Sequence, residues 1–169
     1  MATATHLPLE QYLATSYHPD CDYINGEIEE RNLGEREHAA LQAAITAWLF
    51  PRATAWNAQV LAEQRVRVSP ERVRIPDVCL ISLGPPYERV LVTPPLAVIE
   101  ILSPEDRVAR YNERLEDYRR MGVANIWVAD PEERRGFDWS SRWQEHTRFA
   151  VANSPVYLDL AEVFASLPQ

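Results

Sequence analysis

The sequence predicts an α/β or α+β fold in which helices flank a central mixed β-sheet. Three stretches carry that prediction. In CDYINGEIEE, Asn25-Gly26 supplies the two positive φ angles of a type I′ turn, so Tyr23-Ile24 and Glu27-Ile28 form an N-terminal hairpin. From Glu35 to Phe50, His38, Leu41, Ile45, Trp48 and Leu49 recur on one face with helical periodicity, and Pro51 is expected to end the run. The stretch LAVIEIL, residues 96–102, is apolar without alternation, the pattern of a strand covered on both faces.

The remaining elements follow in order. Leu9, Tyr12 and Leu13 have the spacing of a short helix between Leu7 and Ala14. After the long helix, Val60–Val68 and Pro76–Ser82 read as strands joined by the turn SPERVR, and the proline-rich loop LGPPYERVLVTPP leads into LAVIEIL, which Ser103-Pro104 stops. A second helix spans Val108–Met121, with Tyr111, Leu115 and Tyr118 on one face and Gly122 as its C-terminal cap. The strand NIWVADP follows, then strand-like stretches at Gly136–His146 and Arg148–Val156. Asp159 and Glu162 have capping-box spacing for a terminal helix. No internal repeat or low-complexity tract interrupts residues 1–169, which are expected to form one domain with a core of adequate size.

Composition excludes several classes of function. Cys21 and Cys79 stand far apart with no CxxC or Cys/His spacing, so neither a zinc site nor a disulfide framework is indicated. No stretch approaches the roughly 20 apolar residues of a membrane span, and MATATHLPLEQYL has no basic flank or apolar run; a cytoplasmic protein is expected. A net charge of -8 is wrong for bulk electrostatic grip on phosphates, so any contact with nucleic acid must be local. All 17 basic residues are arginine.

The residue out of place is Glu100, the fifth residue of LAVIEIL. A buried carboxylate costs several kcal/mol unless it is paired, protonated or metal-bound. Asp77, at the start of PDVCLIS, raises the same problem, and if the two strands are sheet neighbours the carboxylates converge at one end of the sheet. Two solutions are a shared proton or a divalent cation, and two carboxylates with a main-chain carbonyl suit Mg2+ or Mn2+. A third is an ion pair with Arg114 or another arginine.

Pro76-Asp77 followed by Glu100-Ile101-Leu102 resembles the PD-(D/E)XK nuclease superfamily. Asp22 to Glu27, His38, Pro76-Asp77-Val78, Val98 to Pro104, Arg114-Leu115, Tyr118, Gly122-Val123, Ile126-Trp127-Val128 and Asp130-Pro131 together resemble the Uma-two family, a bacterial group of restriction-endonuclease-like fold. The resemblance covers the chain from about Leu7 to the terminal helix. It implies a nuclease in which Asp77, Glu100 and the Ile101 carbonyl hold a divalent metal that activates water for attack on a DNA phosphodiester. The superfamily's lysine would fall at Leu102. The family instead places one on the following helix, where this chain has Arg114, three residues from Tyr111 and four from Tyr118. Arginine stays charged and can stabilise a developing anion, whereas lysine can also lose its proton. Two readings follow: a metal-dependent endonuclease, or an inactive nuclease fold serving as a binding or oligomerisation module. Glu27 is a peripheral candidate on the hairpin; His38 is another, with a hydrogen-bonded core histidine as its plainer reading. The net charge makes a homodimer plausible for holding DNA.

Overall fold

The computed structural model describes residues 6–31, 35–104, 108–140 and 142–168. In chain order the elements are α1 (Leu9–Ala14), β1 (Asp22–Ile24), β2 (Glu27–Glu29), α2 (Arg36–Ala53), β3 (Ala58–Ala62), β4 (Val66–Ser69), β5 (Arg72–Arg74), β6 (Val78–Ser82), β7 (Ala97–Ile101), α3 (Val108–Met121), β8 (Ile126–Asp130), β9 (Arg135–Asp138), β10 (Gln144–Glu145), β11 (Arg148–Ala150), β12 (Tyr157–Asp159) and α4 (Leu160–Ser166). The central sheet has six strands in the order β10-β9-β8-β7-β6-β3. Only β7 and β8 run parallel within it, and α3 is the crossover that a parallel pair requires. The sheet is therefore mixed, as the sequence predicts.

Both faces of this sheet are covered. On one side Ile99 and Ile101 of β7 and Val78 and Leu80 of β6 pack with Leu41, Ile45 and Leu49 of α2 and with Val163 and Phe164 of α4. On the other, Cys79 and Val98 meet Tyr111, Leu115 and Tyr118 of α3. Every residue of β7 is buried, which explains its unbroken apolar run. A second sheet, β2-β1-β5-β4, carries the predicted hairpin, with Asn25 and Gly26 at φ 50° and 91°. Its outer face is closed by α1, where Tyr12 packs on Tyr23 and Val73.

Several boundaries differ from expectation for physical reasons. The helix α2 runs through Pro51 to Ala53. Proline removes one intrahelical donor, but buried Leu49 and Ala53 hold the last turn against the core, and Arg52 Nη1 donates to the Trp48 carbonyl at 2.6 Å. Val60–Val68 is two strands in two sheets, broken at Glu63, whose φ of 51° turns the chain and whose N–H donates to the Asp77 carbonyl at 3.2 Å. Within SPERVR only the first residues turn; Arg72–Arg74 is β5, anchored by buried Val73. Gly136–His146 is interrupted by Arg142 and Trp143 at φ 61° and 59°, leaving β9 and β10 as separate strands. Arg148–Val156 folds back at Asn153 (φ 55°), so β11 pairs with the unpredicted β12. Asp159 caps α4 as expected, accepting from the Glu162 N–H at 3.1 Å.

Candidate active site

The pairing of β6 with β7 sets Val78 opposite Ile99, which places Asp77 and Glu100 side by side at the end of the two strands. Both are buried, Asp77 at 2% and Glu100 at 0% exposure. Glu100 shares a face with Val98 and so points towards α3. Tyr118, one turn beyond Arg114, donates its O–H to Glu100 Oε1 at 2.6 Å. Arg114 Nη1 lies 3.5 Å from Glu100 Oε2, a long contact. Its other amino group, Nη2, donates to Asp22 Oδ2 at 3.1 Å, so one guanidinium bridges the central sheet and the hairpin sheet.

Asp77 sits at the strand start and is approached from the opposite direction. Its Oδ2 accepts the Ile101 N–H at 2.8 Å and lies 3.3 Å from His38 Nε2 at the head of α2. Its Oδ1 accepts from Arg31 Nη2 at 2.7 Å. Gln42, one turn after His38, donates to the Asp77 carbonyl at 2.9 Å and fixes the main chain there. Continuing the register sets Pro76 opposite Ile101, and proline has no N–H with which to occupy the Ile101 carbonyl.

Two carboxylates so close acquire different proton affinities. Burial pushes Asp77 up, but the His38 hydrogen bond, the Arg31 charge and the Ile101 N–H outweigh it and hold the carboxyl below the usual carboxylate range. Burial raises Glu100 to about 7, reinforced by the charge of Asp77 and opposed by Arg114, Tyr118 and Arg31. His38 is also raised: burial lowers it, but the hydrogen bond and charge of Asp77 prevail. Glu100 is thus the acid whose negative charge the surrounding residues compensate incompletely.

A magnesium-type ion fits this donor set. Among the described residues no three His, Cys, Asp or Glu side chains gather to hold a metal. Magnesium, however, is commonly held by one or two carboxylates while retaining waters. Asp77 and Glu100 supply hard oxygens with lone pairs to spare, and the Ile101 carbonyl faces the same strand end.

Of the sequence-predicted residues, Asp77, Glu100, Ile101, Arg114 and His38 come together. Glu27 does not join them in this way: it lies exposed beside the Asn25-Gly26 turn, paired with Ile24. Sequence reasoning missed Arg31, Tyr118 as a hydrogen-bond donor, and a buried network behind the site. In that network Asp22 accepts from the Ile75 N–H at 3.0 Å and from Arg74 Nη1 at 3.0 Å, and Arg74 Nε donates to Asp117 at 2.8 Å. No local signal marks Arg74: Arg72-Val73-Arg74-Ile75 alternates charged and apolar residues as a half-exposed strand does, whereas Glu100 interrupts an apolar run.

No curated protein matches the chain. A solved structure described as "a putative nuclease belonging to DUF820" from Anabaena variabilis ATCC 29413 is similar with a TM-score of 0.69 at 21% sequence identity, covering 93% of this chain and 97% of that one. At that identity the likeness speaks for the fold, which is restriction-endonuclease-like. The model of the family Uma2, described as "Putative restriction endonuclease", matches residues 9–165. With nearly its whole length matched and its six-stranded mixed sheet in place, this chain belongs to the Uma2 (Uma-two) family.

Proposed function

We propose that the protein is a metal-dependent endonuclease hydrolysing DNA phosphodiester bonds. The observation that carries the reading is the pair Asp77 and Glu100, buried side by side at one strand end, with Glu100 short of positive charge. Asp77, Glu100 and the Ile101 carbonyl would hold Mg2+ or Mn2+, which supplies Lewis acidity and a water made acidic enough to attack at neutral pH. Tyr118 orients Glu100 through its O–H, and the Ile101 N–H orients Asp77. Arg114, fixed by Asp22, presents charge that stabilises the anion developing on phosphorus; it takes no part in proton abstraction. Burial on both faces of the sheet keeps bulk water from Glu100 and strengthens each of these interactions. A homodimer that lets two such sites face a duplex accords with the net charge of -8.

A second reading rests on a different observation. Both carboxylates already have protein partners, and arginine occupies the lysine position, which suits an inactive binding or oligomerisation module. Calorimetric titration of Mn2+ into the wild type, Asp77→Ala and Glu100→Ala separates the two readings, followed by relaxation of supercoiled plasmid in Mg2+. Metal binding lost in both folded variants, together with plasmid nicking that falls at least a hundredfold in either, supports the nuclease. Wild-type protein that binds no Mn2+ and nicks no DNA would sink it in favour of the module.

A further inference from the structure

Arg31 follows β2 and belongs to no helix or strand, yet its guanidinium reaches buried Asp77 of the site. The contact is one-sided. Nη2 donates to Asp77 Oδ1 at 2.7 Å, Nη1 is 3.8 Å from Glu63, beyond hydrogen-bonding range, and the buried Nε has no partner among the described residues. An arginine engaged for permanent structure looks different here. Arg74 is 1% exposed at its side chain and held by Asp117, Asp22 and Glu29 at 2.8, 3.0 and 3.3 Å, with only Nη2 unpaired among the described residues. Arg31 is 11% exposed at its side chain, so it lies at the mouth of the site where Arg74 lies behind it.

The charge arrangement gives this a consequence. Arg31 is the strong cation nearest Asp77, at 2.7 Å, so its guanidinium occupies ground that a divalent ion held by Asp77 and Glu100 would contest. A divalent ion on the two carboxylates would neutralise them and leave Arg31 as excess positive charge, with Arg114 still paired to Asp22. That excess matches a phosphodiester and the additional negative charge its transition state develops. The planar fork of arginine, with one of its five donors in a hydrogen bond among the described residues, fits phosphate oxygens better than a single carboxylate oxygen.

We infer that Arg31 is an exchangeable counter-ion: it neutralises Asp77 when no divalent ion is bound, yields that carboxylate to the metal, and then binds the substrate phosphate. This rests on the nuclease reading above and extends it to a residue and an ordered exchange. The two requirements are opposed, since the same side chain resists the metal and holds the DNA.

The test is calorimetric titration of Mn2+ into the full chain and into Arg31→Gln, with binding of a short fluorescent DNA duplex measured in Ca2+ across a salt series. Loss of a charge-assisted competitor for Asp77 should tighten Mn2+ binding about tenfold in Arg31→Gln. Loss of a phosphate contact should weaken duplex binding and reduce the magnitude of the salt slope by about one. Mn2+ affinity that is unchanged or weaker in the folded variant overturns the inference and makes Arg31 a support for Asp77. If Arg31→Gln loses its native circular dichroism, Arg31→Lys replaces it. A smaller gain in Mn2+ affinity is then expected, because lysine keeps the charge without the fork, and no gain overturns the inference as well. A wild type that binds no Mn2+ removes the nuclease reading and this exchange together; a wild type that binds while the variant gains nothing removes the exchange alone.

Discussion

Glu100→Gln tests the electrostatics of the site without requiring any substrate. The side chains are nearly isosteric, so the buried volume at Glu100 is retained while the titration is removed. Burial holds the folded carboxyl at about 7, against an ordinary value of 4.5. A group whose folded pKa is raised contributes stability that is fully present below its unfolded pKa and lost as pH rises through its folded one. Glu100 should therefore cost the wild type stability between about pH 4.5 and pH 7. Linkage over that interval gives about 2–3 kcal/mol between pH 5 and pH 8, and Glu100→Gln should not show this loss. The assay is urea unfolding of both proteins at several pH values with a chelator present, and the quantity read is the change with pH of the difference in stability. His38 titrates in an overlapping range, its folded pKa raised above 6.5, but it is present in both proteins and cancels to first order. Asp77 is lowered, so its stability is present above its ordinary 3.8 and lost only under more acidic conditions. Parallel stability curves for wild type and variant from pH 5 to pH 8 would refute the reasoning: Glu100 would then be ionised throughout, fully compensated by Arg114 and Tyr118.

Under the nuclease reading, millimolar Mg2+ should lower the apparent Glu100 midpoint and flatten the wild-type pH dependence, as read by the same unfolding series; a midpoint indifferent to Mg2+ would contradict metal ligation by Glu100. Tyr118→Phe removes the 2.6 Å donor to Glu100 and should cost about 1–3 kcal/mol by urea unfolding, while raising the Glu100 midpoint, since the phenol favours the ionised acid. Arg74→Ala removes the buried guanidinium shared by Asp22 and Asp117, leaving Asp22 to Arg114 and the Ile75 N–H and Asp117 to Arg72, and should cost about 3–5 kcal/mol, a large share of the stability of a domain this size; a loss under 1 kcal/mol in thermal or urea melts would mean water reaches the network. Asp159→Ala removes the cap of α4 and should cost about 1 kcal/mol, with Asp159→Asn recovering most of it.

The legible part of the site is the part encoded within single elements. Asn25-Gly26 dictates its own turn, the unbroken apolar run of β7 announces a covered strand, and a glutamate inside that run marks itself as anomalous. Arg114 could be placed on the flank of α3 from its spacing to Tyr111 and Tyr118 alone. Residues whose role depends on a distant partner were not legible. Asp22 looks like the exposed end of a hairpin strand, yet it is fully buried because Arg74 and Arg114 arrive from β5 and α3. Tyr118 has the spacing of a core residue and is one; its ring packs with Leu115 and Val98 while only its hydroxyl serves the site, and periodicity cannot separate ring from hydroxyl. Arg31 follows a hairpin among charged residues, where an arginine ordinarily faces water, and nothing local indicates that its side chain turns inward to Asp77.

Arg114 shows why the lysine position tolerates arginine in this chain. A lysine ammonium is a point charge, whereas the two amino groups of Arg114 address different acids, Asp22 on the hairpin sheet and Glu100 on the central sheet. The side chain therefore joins two sheets as well as charging a site, and the arrangement extends through Asp22 to Arg74 and Asp117. Such a bridge fixes the guanidinium more firmly than Glu100 could alone, since its contact to Asp22 is the shorter of the two. The cost falls on proton transfer, because arginine cannot give up its proton near neutrality. Under the nuclease reading, acid–base chemistry within the cluster would then fall to Glu100, which burial raises to about 7, and to His38, whose proton affinity Asp77 raises against burial. Under the nuclease reading, a chain built this way would favour charge stabilisation over proton abstraction, and Asp22, 92 residues from Arg114 and absent from any local motif, would be as much a determinant of that balance as the residues beside the strand end.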